Sequence, residues 1–171
     1  GLPLFFDQGM YSWNHLAGEA MEQYGADRLT VPVELNEREI RDSGIHGEMI
    51  VYGYLPMMIS AQCIRKTTLG CSGKPEIMWL KDRKEMRFPV VNQCRFCYNT
   101  IYNSAPLSLL GLSASVGGPK ALRLNFTVEE PAAAGEILDA FFEEYALGEK
   151  AAEPSVLKNQ FTRGHFKRGV E

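Results

Sequence analysis

Apolar positions along this chain switch between two periods. Leu4-Phe5-Phe6 is a short continuous apolar run, which predicts a buried strand. Trp13, Leu16, Ala17, Ala20, Met21 and Tyr24 then recur at helical spacing, with Ser12 as the expected N-cap and Gly25 as the stop. Residues 29–35 predict a second strand. Asn36 is expected to cap a short helix over 37–42, ended by Ser43-Gly44, and residues 48–54 predict a third strand. The periodicity then breaks into a cysteine-bearing stretch, with a hairpin expected over 79–91 that turns at Asp82-Arg83-Lys84. Residues 106–112 suggest a short strand or turn, 113–120 a loop or weak helix, and 122–126 alternate as a strand. Pro131 opens a helix whose expected inner face carries Ile137, Leu138, Phe141, Phe142 and Tyr145. From Glu149 the chain turns polar, and 151–171 is expected to be an extended C-terminal arm.

Strands alternating with helices imply βα units and a parallel sheet. About four units are visible, against the eight units and roughly 250 residues of a full barrel. The expected fold is therefore α/β: a partial, half TIM-like (β/α) barrel over 1–150, with a cysteine-rich insertion at 61–110 after the third strand. Half a barrel leaves sheet edges and an inner face open. The chain is thus expected to need a missing N-terminal half, a partner subunit or self-association. It opens at Gly1 rather than Met, with strand-like sequence at once, which suggests a fragment or processed product.

Composition narrows the setting. The 171 residues suit one domain or part of a larger one, and 45% hydrophobic content is enough for a real core. A formal charge of −3 argues against a general polyanion binder while leaving room for a local basic patch. No apolar run reaches the roughly 18 residues of a membrane helix. No secretory signal is visible, so the thiols are expected to stay free and the chain to be cytoplasmic, with no membrane partner.

The four cysteines, Cys63, Cys71, Cys94 and Cys97, fall in one stretch, and the last two form Cys94-Arg95-Phe96-Cys97. Thiolates grouped in this way hold a metal or an iron–sulfur cluster more often than they form disulfides in such a setting. Tetrahedral zinc and a cluster are both satisfied by four sulfurs, and the residues alone leave the two open. Arg65, Lys66 and Arg95 stand near enough in sequence to offset thiolate charge. Asn99, Asn103 and Arg83 are placed to orient the cysteine loop through backbone hydrogen bonds, and Phe96, Tyr98 and Tyr102 to shield a centre or stack on a base.

Several segments resemble the peptidase U32, or collagenase-like, family. Its signature opens with Glu, passes through an apolar strand to Gly, and reaches a Cys ten residues later, as Glu48-Met49-Ile50-Val51-Tyr52-Gly53 and Cys63 do here. Pro56 stands where the pattern has a first cysteine, and Ala61 where it has glycine. Residues 32–36, 80–83, 88–90, 103–107 and 162–166 are similar to other family segments. The resemblance implies a TIM-like barrel of which this chain is the later, C-terminal half. It implies one of two activities: peptidase action, or oxygen-independent hydroxylation of RNA or a small aromatic molecule. It also implies a [4Fe–4S] cluster on Cys63, Cys71, Cys94 and Cys97, with zinc as the alternative in a structural, partner-binding domain.

Candidate catalytic and substrate-binding groups follow from position. Glu34 ends its strand, at the edge where barrel enzymes place their chemistry, and is the expected acid or base. Glu48 starts its strand and is expected at the opposite rim. His165, in Arg163-Gly164-His165-Phe166-Lys167-Arg168, is flanked by cations that favour its neutral form. Arg163 and Arg168 suit a carboxylate or phosphate on the substrate. Asp7 and Gln8 end the first strand and are weaker substrate contacts. His46 is expected in a loop at the less favourable rim, and His15 on a helix surface. Neither a Gly-x-Ser-x-Gly elbow nor a His-Glu-x-x-His pattern is present, which argues against serine hydrolase and zincin chemistry.

Overall fold

A computed structural model describes residues 1–45, 47–158 and 160–170; His46 lies outside the described residues. The chain runs β1 (Phe5–Phe6), α1 (His15–Gln23), β2 (Arg28–Leu29), α2 (Glu37–Ser43), β3 (Glu48–Gly53) and β4 (Pro56–Ser60). It continues through α3 (Ile64–Leu69), β5 (Ile77–Lys81), β6 (Arg87–Gln93), β7 (Tyr98–Tyr102), β8 (Leu107–Ser108), β9 (Ala121–Asn125) and α4 (Pro131–Phe142).

The fold is α/β with open sheets. β1 pairs parallel with β2, and β3 parallel with β9. A parallel bridge from Thr30 to Glu48, with the Val31 amide donating to the Glu48 carbonyl at 2.8 Å, joins the two pairs. Four parallel strands therefore stand in the order β1-β2-β3-β9, and among the described residues they close into no barrel. β8 lies antiparallel against the end of β3. Between β3 and β9 the chain makes an excursion into a separate antiparallel sheet of order β4-β7-β6-β5.

Local chemistry explains most boundaries. Asn36 caps α2 in a full capping box with Glu39, and Gly44 ends it in the left-handed region at φ 66°. α1 begins at Asn14, whose side chain accepts the Ala17 amide, rather than at Ser12. The second strand is much shorter than its apolar run, because Pro32 has no amide to extend the ladder and the chain turns there. The excursion contains three elements that periodicity did not show: β4, α3 and β7.

The core is continuous from Leu29, Val31 and Ile50 through Leu109 to Ile137 and Phe141. On α4 the buried stripe is Ile137, Ala140 and Phe141; Leu138 and Phe142 face outward, one helical step round from it. The C-terminal segment is not a free arm. Leu157 and Phe166 are buried in the core, Thr162 bridges to Leu107, and the Glu37 amide donates to the Phe166 carbonyl at 2.8 Å. Its polar composition hid two apolar anchors, which bring residues 163–168 against the start of α2.

Candidate functional site at the carboxyl edge of the parallel strands

Glu34 and His165 line one cleft of about 400 Å³, together with Gln8, Tyr11, Leu55 and Met57. Gln8 and Tyr11 follow β1, Glu34 follows β2, and Leu55 and Met57 follow β3, the edge at which open α/β sheets bind ligands, while the C-terminal segment brings in His165. Glu34 Oε1 accepts a hydrogen bond from the Tyr11 hydroxyl at 3.1 Å, and this bond holds the Tyr11 phenol above its ordinary pKa. Tyr11 itself adopts φ 50° and stacks on Trp13, with ring centroids 6.4 Å apart. A bulky residue in the left-handed region is costly, and such strain gathers at functional sites.

His165 Nδ1 lies 2.9 Å from the Gly169 carbonyl. A carbonyl only accepts, so Nδ1 is the donor in this contact. The turn carrying it is pinned by buried Phe166 and by Lys167, whose Nζ lies 3.1 Å from Glu37 Oε2.

The other expected substrate contacts lie elsewhere. Arg163 donates to the carbonyls of Ser108 at 2.7 Å and Leu110 at 2.6 Å and stacks on Phe161, so its guanidinium ties the C-terminal segment to the sheet. Arg168 is exposed and does not line the cleft. Asp7 sits outside the cleft wall and pairs with Arg123 at 2.8 Å. Arg123 also pairs with Glu48 and donates to Thr30 Oγ1 at 3.1 Å. The expected separation of Asp7 and Glu48 onto opposite rims is thus corrected. The strands are staggered, so the first residue of β3 stands beside Thr30 just past β2, level with Asp7. Arg123 was overlooked, although a cation inside the alternating run Leu122-Arg123-Leu124 was the available signal. Tyr11 carried no periodic signal.

All four cysteines are free and belong to segments at one end of the antiparallel sheet. Cys63 follows β4 and caps α3, Cys94 and Cys97 form the β6–β7 turn, and Cys71 lies in the loop that leads into β5. Cys97 takes φ 54°, which closes the Cys-x-x-Cys turn tightly. Asn99 donates to the Gln62 carbonyl at 2.8 Å, so it does bond the backbone of the cysteine loop. Asn103 instead accepts from its neighbour, the Ser104 amide, at 2.8 Å. Among the described residues, no three His, Cys, Asp or Glu side chains form a group that could hold a metal ion. Cys94 Sγ donates as a thiol to the Lys74 carbonyl at 2.9 Å and to Asn92 Oδ1 at 3.3 Å, and among the described residues the Nδ2 of that almost fully buried amide has no hydrogen-bond partner.

No family model, curated protein or solved structure matches this chain. No helix among the described residues is long and apolar enough to cross a membrane.

Proposed function

We propose that this chain is part of a U32-type α/β enzyme that modifies RNA or a small aromatic molecule by hydroxylation. The carrying observation is that Glu34, held by Tyr11, and His165, held through Nδ1 by the Gly169 carbonyl, line one cleft at the carboxyl edge although they are far apart in sequence. Glu34 accepts or returns a proton, the imidazole Nε2 does the same from the other wall, and Leu55 and Met57 supply an apolar surface for a ring. Cys63, Cys71, Cys94 and Cys97, whose segments share one end of the antiparallel sheet, would hold a [4Fe–4S] cluster only after drawing closer together, and the cluster would supply electron transfer.

The open edges at β1 and β9 carry exposed Leu4 and Phe5 on one side and Leu122 on the other. Further strands, from an N-terminal half or a partner subunit, complete the sheet there.

One observation favours a second reading, in which the cysteines hold structural zinc. Pro56 and Met57 line the cleft, whereas Cys63 follows the far end of the same strand, about 17 Å away for five residues. Metal and sulfide analysis of anaerobically purified protein separates the two readings. Iron with equal acid-labile sulfide supports the cluster; zinc alone supports the structural centre; neither metal defeats both. If the preparation instead hydrolyses gelatin, and Glu34→Gln abolishes this, the cleft belongs to a peptidase.

A further inference from the structure

A second cleft, of about 390 Å³, opens at the carboxyl ends of β3 and β9, between the parallel strands, the start of α4 and the antiparallel sheet. Tyr52 and Tyr54 come from the end of β3 and the residue just past it, and Trp79 comes from β5. Three carboxylates, Glu129, Glu130 and Glu136, line the same cleft; among the described residues no Lys, Arg or His lines it, and Lys158 acts on Glu136 from outside it. Glu129 is locked in place. One oxygen accepts from the Tyr52 hydroxyl at 2.9 Å, and the other accepts from the Thr127 and Val128 amides at 2.6 and 2.9 Å. Glu136 is held by the Ser155 amide and hydroxyl at 2.9 and 2.6 Å. Glu130 is the N-cap residue of α4, but its exposed side chain makes no capping hydrogen bond. Burial, reinforced by the Glu129 charge, raises the Tyr54 phenol, as expected in a negative field.

Aromatic faces combined with fixed negative charge select a ligand class. A nucleic acid would bring phosphates against three carboxylates. A neutral ring would gain from the walls and nothing from the charges. An organic cation gains from both, through the ring quadrupoles and the carboxylates. We propose that this cleft binds an alkylated ammonium group. It is separate from the Glu34–His165 cleft and does not depend on the function assigned there.

The test titrates ¹⁵N-labelled full chain with choline and, separately, with 3,3-dimethylbutan-1-ol, its neutral isostere. The amides of Ala132 and Ala133 and the indole N–H of Trp79 report binding, since all three residues line the cleft. Saturable shifts are expected with choline and not with the alcohol. Glu130→Gln is expected to weaken choline up to about five-fold, and Trp79→Leu about ten-fold. Equal binding of both compounds, or no saturable shift with choline, overturns the proposal. Unchanged choline affinity in Glu130→Gln does so as well, and this variant alters only an exposed carboxylate, so the test survives a Trp79→Leu chain that fails to fold.

Discussion

The parallel strands bury Ile50, Val51, Leu109, Ile137 and Phe141 in one apolar core, whereas the antiparallel sheet buries Pro89, Val90, Asn92, Asn99 and Thr100. The same antiparallel sheet exposes Met57, Met58 and Ile59 on its edge strand β4, together with Ile77 and Trp79. The first region is stabilised by removing apolar area from water. The second has little apolar area to remove and relies on its ladders and on a few buried amides. Small units with so little core ordinarily need a cross-link or a metal. Four free thiols at one end of the second region, and none in the first, are consistent with that need.

This contrast can be broken most directly in the core. Phe141→Ala is expected to cost about 3–5 kcal/mol, read by urea unfolding of the α4 helix signal. A loss below about 1 kcal/mol would remove the distinction between the regions. Asn99→Ala should cost about 1–3 kcal/mol, because the Gln62 carbonyl loses its buried donor. Hydrogen exchange should show that loss in β4 and β7 with the β3–β9 pair unaffected. Equal loosening of both sheets would mean that they unfold as one unit.

The smallest effect concerns the charges around Arg123. Burial alone would raise the Asp7 carboxyl; hydrogen bonds from Arg123 and the Gln8 amide outweigh it and hold the group below its usual 3.8. A depressed carboxyl contributes stability that is fully present above 3.8 and lost as pH falls through the lower folded value. Asp7 is largely exposed, so the contribution should stay under about 1 kcal/mol. Replacing Arg123 with Met should flatten the dependence of the urea midpoint on pH in that range. An unchanged slope would show that the pair is not the source.

Much of the parallel region was legible in the sequence. The cap at Asn36, the Gly25 and Gly44 stops, the apolar run of β3, the alternation in β9 and Pro131 at the head of α4 each carry a local cause. The hairpin of β5 and β6 was also legible, with its turn around Asp82. β4 and β7 were not, because one runs apolar without alternation and the other mixes aromatic and amide residues, and both form through pairing with each other. At the cleft, Glu34 was expected to end its strand, but β2 stops at Leu29 and Glu34 stands in the turn beyond Pro32. Its bond to Tyr11 was not legible, nor was the diversion of Arg163 into backbone contacts, since both depend on segments distant in sequence.

By itself the sequence determined where helices start and stop and which runs are apolar enough to be buried, because caps, prolines, glycines and periodicity act over a few residues. The tertiary structure alone decided which charges meet and which polar groups are used up in holding the chain. Strand stagger set Asp7, Glu48 and Arg123 together, and two buried anchors, Leu157 and Phe166, folded the polar C-terminal segment back so that His165 lines the same cleft as Glu34. Such meetings depend on register and packing between distant segments, and no local pattern encodes either.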